Sequence, residues 1–255
     1  VTPISLRRRS MSDETRGCVA VVVVAVLLLA GAAWYCLSHG CYVGGWGLGP
    51  KPVSLVSPVV DSSPTPSPAS FKVAVLDEPT APDYLDGTVE NSSDSALDAV
   101  RASGLDAETI SSEEIEAGVL DDYDVLILPD NAPPASAVDA VLDWWSRGHY
   151  VVATDSANGF LLYSGILFPE LKGAGASASR GEYWDDTSTG SVVVKAESCP
   201  TSGLRVNEEL EAEESSALIY ADELPPEAQV LAVDGGQPNK AAVVVYRGEG
   251  TVTFI

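Results

Sequence analysis

The chain carries 37 acidic and 14 basic residues among 255, a formal charge of -23. Such a field repels phosphate backbones and anionic headgroups, which excludes a nucleic-acid-binding role, and it keeps a protein soluble where salt screens self-repulsion. No pair of its four cysteines has the close spacing of a zinc or redox motif.

In chain order, residues 1–17 form a basic segment with Arg7, Arg8, Arg9 and Arg16. Residues 18–37, "CVAVVVVAVLLLAGAAWYCL", are an uncharged apolar run long enough to cross a hydrocarbon layer of roughly 30 Å as a helix. The run predicts a transmembrane helix. The upstream arginines predict a cytoplasmic N-terminus and a C-terminal bulk outside the cell, with a single-pass cell-membrane location. A signal peptide cleaved after Ala33 is the competing reading of the same residues. Residues 38–70 are glycine-rich and then proline- and serine-rich, the composition of an extended tether. All but three of the 37 acids, but only nine of the 14 basic residues, fall after residue 70.

Residues 71–255 are read as the folded, extracytoplasmic domain. "FKVAVLD" (71–77), "DAETI" (106–110), "YDVLILPD" (123–130) and "YVVATD" (150–155) predict strands. Between them, 93–104 and 136–148 carry helical stripes, with Ser93 and Ser136 as expected caps and Gly104 and Gly148 as stops. "SSEEIEAG" (111–118) opens with serine followed by acids, as a helix start does. Strands alternating with helices predict parallel βαβ units, with 71–77 between 106–110 and 123–130, and 150–155 beyond 123–130. Downstream, 160–171 reads as a broken apolar helix and 173–190 as a flexible or lid-like loop. "SVVVKAE", "SALIYAD", "AQVLAVDG" and "KAAVVVYRGEGTVTFI" read as strands, the last folding back through "RGEG" (247–250). Cys41 and Cys199 are permitted to pair, and Asn91 heads an Asn-Ser-Ser glycosylation triplet.

The succession "FKVAVLDEP … YDVLILPD … WWSRGHYVVATDSANGFLLYSG" resembles the class I glutamine amidotransferase-like superfamily, in the manner of its divergent ThuA-like and biotin-protein-ligase N-terminal-like branches. The resemblance implies an α/β fold of three layers, flavodoxin-like, around a mostly parallel sheet, here preceded by one transmembrane helix. It also implies a cysteine on a strained elbow after the fourth strand, served by a downstream histidine. That elbow position falls on Ser156, or on Asp155 with a one-residue slip, and neither is cysteine. Asn158 and Gly159 suit the left-handed backbone such a turn needs.

A serine hydroxyl needs a base within hydrogen-bond reach. The two histidines are His39 and His149, and no histidine follows Ser156. His149 enters the strand whose other end carries Ser156, roughly 23 Å away along seven residues. Lys172, Lys195 and Lys240 lie downstream in surroundings that do not suggest a desolvated amine. Ser156 is therefore expected to cap the next helix, with no catalytic residue and no cofactor. Asp77, Asp130 and Asp155 close three predicted strands, where open α/β sheets keep their ligand crevice. With Ser156 and Asn158 they are the candidates for a vestigial pocket. Gathering of a hard cation by these aspartates with Glu182, Asp185 and Asp186 is the competing reading, and strand-end capping is the preferred one.

The expected function is a membrane-anchored, non-catalytic domain with a ligand-binding or structural role at the cell surface. Its expected partners are the membrane, through residues 18–37, and an unidentified protein. A hydrolase of small amides or sugars with atypical catalytic residues, and an accessory subunit of a membrane assembly, are the alternatives.

Overall fold

The computed structural model describes residues 71–85, 92–198, 201, 203–212 and 215–254. Four short strands build its first half: β1 (Lys72–Leu76), β2 (Asp106–Ile110), β3 (Val125–Pro129) and β4 (Tyr150–Thr154). They lie in the order β2-β1-β3-β4, all parallel, as the alternation of strand and helix signals predicts. Their side chains alternate between two faces. Val73, Val75, Ile127 and Val152 meet Ala96, Leu97 and Val100 of helix α1 (Ser93–Ala102) on one side. Ala74, Leu76, Leu126, Leu128, Val151 and Ala153 belong to the larger cluster on the other side. There they join Ile115 of α2 (Ser112–Glu116) and Val138, Val141 and Trp144 of α3 (Ala135–Ser146).

The helix starts differ in how they are made. At α2, where "SSEEIEAG" reads as a helix start, Ser111 Oγ accepts the Glu114 N–H while the Glu114 carboxylate accepts the Ser111 N–H, a capping box. Neither of the other two expected serine caps forms. α1 begins at Ser93 behind Ser92, and α3 begins at Ala135 behind Pro134, with no side-chain cap bond at either.

Strand β2 is the open edge of this half. Only Ala107 and Ile110 turn inward. The Ile110 carbonyl accepts the Asp77 N–H and so faces β1. Carbonyls alternate along a strand, so that of Ala107 points outward, where Arg101 Nε donates to it at 3.0 Å.

The second half corrects the expectation of a mostly parallel sheet. It supplies β5 (Trp184–Thr187), β6 (Ser191–Val194), β7 (Glu209–Glu211), β8 (Ser215–Tyr220), β9 (Ala228–Asp234), β10 (Lys240–Arg247) and β11 (Thr251–Phe254). β11 lies parallel to β4 and continues the sheet into β10, β9, β6 and β7, while β8 branches from β10 and carries β5. Among the described residues four strand pairs are parallel and six antiparallel, so the sheet is mixed. The cause is the connections. For β9–β10 and β10–β11, joined by short turns, antiparallel pairing follows, because a parallel return needs a crossover of a dozen residues or more. The β10–β11 hairpin turns through 248–250, as "RGEG" predicts. It docks on α3, where Trp145 Nε1 donates to the Thr251 carbonyl at 3.2 Å.

Two further expectations change. The stretch 173–190, expected as loop, contains helix α5 (Ala176–Ser179) and strand β5. The broken helix is present as α4 (Asn158–Tyr163) and a 3-10 turn at Pro169–Leu171, between which Ile166, Leu167 and Phe168 are buried.

Residues 1–70 lie outside the described residues, and with them the basic segment, the apolar run 18–37 and the tether; so do Asn91 and Cys199. No helix among the described residues is long and apolar enough to cross a membrane. The expected transmembrane helix, single-pass topology, cell-membrane location, membrane partner and membrane-anchored function are corrected accordingly, because no helix among the described residues spans a membrane.

Candidate functional site at the carboxyl ends of the parallel strands

Strands β3 and β4 end in the same way. Pro129 and Thr154 are partners in the parallel ladder, and the next residue on each strand is an aspartate with left-handed backbone, φ 59° at Asp130 and φ 45° at Asp155. An L-residue held there costs about 1–3 kcal/mol and persists only where its surroundings fix it. Asp and Asn tolerate it best, because a short polar side chain can bond locally.

Both aspartates are fixed by hydrogen bonds. The Asp130 N–H donates to Thr154 Oγ1 at 3.1 Å, and that hydroxyl donates to Asp130 Oδ1 at 3.1 Å. Ser92 Oγ donates to the other carboxylate oxygen of Asp130. Asp155 Oδ1 accepts the Ala217 N–H of β8 at 2.9 Å, while Asn158 Nδ2 donates to the Ala217 carbonyl at 3.0 Å. The two side chains thus hold one peptide group on each side of Ala217, as a neighbouring strand would.

The elbow therefore stands at Asp155. The chain leaves β4, turns left-handed there, makes a 3-10 turn over Asp155–Ala157 and enters α4. The left-handed residue is Asp155, and Ser156 and Asn158 are not left-handed. Ser156 is half-buried one residue past the turn and caps no helix; the N-cap of α4 is Ala157, without a side-chain bond.

At the end of β1, Asp77 Oδ1 accepts from Ser93 Oγ at 3.0 Å. The next residue, Glu78, accepts from Ser112 Oγ at 2.5 Å, and its carbonyl accepts from Asn131 Nδ2 at 2.6 Å. Buried Asn131 also takes the Ala132 N–H on its Oδ1 at 2.8 Å. Asp77, Asp130 and Asp155 thus lie along one edge, each bonded to the start of α1 or to β8. His149 precedes β4 at the opposite edge. Its carbonyl accepts the Thr251 N–H, and its ring stacks on Trp144 with centroids 4.5 Å apart.

The acids of 173–190 do not join this edge. Asp186 pairs with Arg180, Glu182 is exposed, and Asp185 pairs with Lys240. Among the described residues no three His, Cys, Asp or Glu side chains are grouped as metal ligands.

Lys240 is what the sequence reading missed. Lys172 and Lys195 are exposed, but Lys240 is 2% exposed. Its Nζ lies 3.1 Å from Asp185 Oδ2, 2.8 Å from the Thr187 carbonyl and 2.6 Å from Thr187 Oγ1. Burial pushes the Asp185 carboxyl up, but hydrogen bonds from Lys240, Thr187 and the Asp186 N–H outweigh it and hold the group at about 2. The signal available was a lysine heading an apolar strand, "KAAVVVY".

No protein-family model matches the chain, and no curated protein matches it. Solved structures do, at a distance. PurLQS from Thermotoga maritima is 15% identical over 72% of this chain and 85% of its own, with a TM-score of 0.47. A ThuA-like protein from Bacteroides uniformis is 13% identical over 73% and 81%, also at 0.47. The cytoplasmic protein STM1381 from Salmonella typhimurium is 14% identical over 72% and 87%, at 0.43. The chain's own strands make it an α/β domain with a mixed sheet, and its similarity to these amidotransferase-like, ThuA-like and related α/β folds is distant.

Proposed function

We propose that residues 71–255 form a non-catalytic domain of the divergent, ThuA-like side of the amidotransferase-like superfamily, with a structural or partner-binding role. The observation that carries this reading is Asp155. It takes the left-handed turn after β4, next to Ser156, where the family resemblance puts the cysteine elbow, and its carboxylate accepts a backbone N–H from β8. Asp77, Asp130, Asp155, Ser156 and Asn158 are then the remnant of a pocket, four of them now holding the protein's own segments in place. The position of His149 at the far edge supports the reading, because general acid–base work needs its group within about 3 Å of the transferred proton.

The test is labelling of the purified full chain and of Ser156→Ala with a fluorophosphonate probe. Absence of stoichiometric labelling in both is expected. Stoichiometric labelling of the wild type that disappears in Ser156→Ala would establish a serine hydrolase and end the non-catalytic reading.

A further inference from the structure

Residues 173–190 begin and end on glycines in left-handed conformation, Gly173 at φ 82° and Gly190 at φ 76°. Between these two swivels the chain crosses the elbow. The Ala176 N–H donates to the Tyr84 carbonyl at 2.8 Å, and the Ala176 side chain lies over Gly159, in the first turn of α4. Trp184, buried, ties the segment to itself by donating Nε1 to the Ala176 carbonyl at 2.9 Å. The segment then pairs as β5 with β8, through Trp184↔Ile219 and Asp185↔Leu218, before an irregularity ahead of Thr187↔Ser215. β8 is the strand that Asp155 and Asn158 hold at Ala217. The segment thus closes over the outer side of the strand that closes over the elbow.

Besides the β5–β8 ladder and the core packing of Ala176 and Trp184, the segment is fastened by one buried side chain. Lys240 is rooted in the first position of β10, and its ammonium has three protons to donate. All three of its acceptors, Asp185 Oδ2 and the two oxygens of Thr187, belong to the segment. The Arg180–Asp186 pair is internal to the segment, while Gln237 Nε2 also donates to the Thr187 carbonyl at 3.3 Å. At the far swivel, buried Asp234 accepts the Thr189 N–H and Thr189 Oγ1 at 2.7 Å each, which fixes the end about which the segment turns.

We infer that residues 173–190 are a strap that opens as a unit to uncover β8 and the elbow, with Lys240 as its buried latch. The inference is independent of whether the elbow does chemistry, since the same contacts cover it in either case. A latch of this kind releases locally. Lys240 is buried while the Asp185 side chain is 28% exposed, so the cost of removing the lysine falls on the segment whose groups lose their donor, while the parallel strands keep all their contacts.

Hydrogen exchange of the full chain, read by mass spectrometry, tests this. In the wild type, amides of 173–190 and of β8 are expected to exchange through an opening more frequent than that exposing β1, β3 and β4. Lys240→Met is expected to speed exchange in the strap and β8 by more than about tenfold, leaving β1, β3 and β4 at their wild-type rates. Thr187→Val, which removes only one acceptor and folds more readily, is expected to give a smaller acceleration confined to the same peptides. Strap amides that exchange at the rate of β3 in the wild type would overturn the inference. So would a uniform acceleration of strap and core amides in Thr187→Val, or unchanged exchange in both variants.

Discussion

The Asp155 carboxylate accepts the backbone N–H of Ala217, 62 residues further along the chain. Two demands meet in that aspartate: it takes the left-handed turn between β4 and α4, and it holds β8 against the turn. The first asks for Gly, Asn or Asp, and the second for a carboxylate or amide oxygen. Only Asp and Asn satisfy both.

Substitution at 155 is therefore expected to rank in an order that neither demand alone produces. Asp155→Asn keeps an acceptor and the backbone tolerance and is expected to be mild. Asp155→Gly keeps the backbone and loses the acceptor. Asp155→Ala loses both and is expected to destabilise by about 2–4 kcal/mol, summing a charged hydrogen bond with the left-handed penalty. Urea denaturation of the three variants measures the order; an Ala variant within about 0.5 kcal/mol of wild type would contradict it.

At the neighbouring position the expectation is the reverse. Ser156 caps no helix, so Ser156→Ala should change stability by no more than about 0.5 kcal/mol in the same assay. A loss of 1 kcal/mol or more would assign the hydroxyl a structural role that the geometry does not give it.

Acid should weaken the Asp185–Lys240 latch in a defined window. The Asp185 carboxyl sits at about 2, below its ordinary 3.8. A depressed carboxyl contributes its stability fully above the ordinary value and loses it as pH falls through the folded one. The stability gap between wild type and Asp185→Asn is therefore expected to be constant above about pH 4 and to shrink by up to about 2 kcal/mol on approaching pH 2. The Asp234 carboxyl is also lowered, its burial outweighed by hydrogen bonds from Thr189 and Gln237, but both proteins share it and it cancels. A gap independent of pH from 5 to 2 would exclude the latch as an acid-labile contact.

The turn after β10 admits no side chain at its last residue. A Cβ on Gly250 would collide with the Trp145 carbonyl oxygen and stand 2.6 Å from the indole Cδ1 and Nε1. Gly250→Ala is expected to cost about 1–3 kcal/mol by overpacking, and to shift tryptophan emission as the indole gives way. An unchanged melt and spectrum would show that the hairpin accommodates the methyl group by moving.

What could be read from the sequence was what local chemistry decides. "VAVL", "VLILP" and "VVAT" are apolar runs buried on both faces, and they became β1, β3 and β4 in the expected order. "RGEG" carried its own hairpin. A turn after the fourth strand was legible, and its left-handed residue is Asp155. Ser156 drew attention as the hydroxyl, while the choice between it and Asp155 depends on backbone sign, which the sequence leaves open when the candidates are adjacent. Less legible was whatever depends on contacts between distant segments. The pairing of β5 with β8 joins "WDDT" to "SSALIY", and neither piece announces the other. Lys240 reads as a surface lysine until that pairing brings Asp185 and Thr187 to its ammonium. Ser93 reads as the cap of α1, but the aspartate after β1 takes its hydroxyl.

The outer side of β2 has a consequence for behaviour at high concentration. A bare sheet margin invites another chain to add itself and so begins fibrous association. Here the guanidinium of Arg101 already occupies the outward carbonyl of Ala107, so a newcomer must first evict it. The newcomer must also lie beside exposed Asp106 and Glu108, and if it is a second copy it brings the same negative charges. Crowding at low salt should therefore leave these chains separate, and salt, which screens that repulsion, should be what lets them stick.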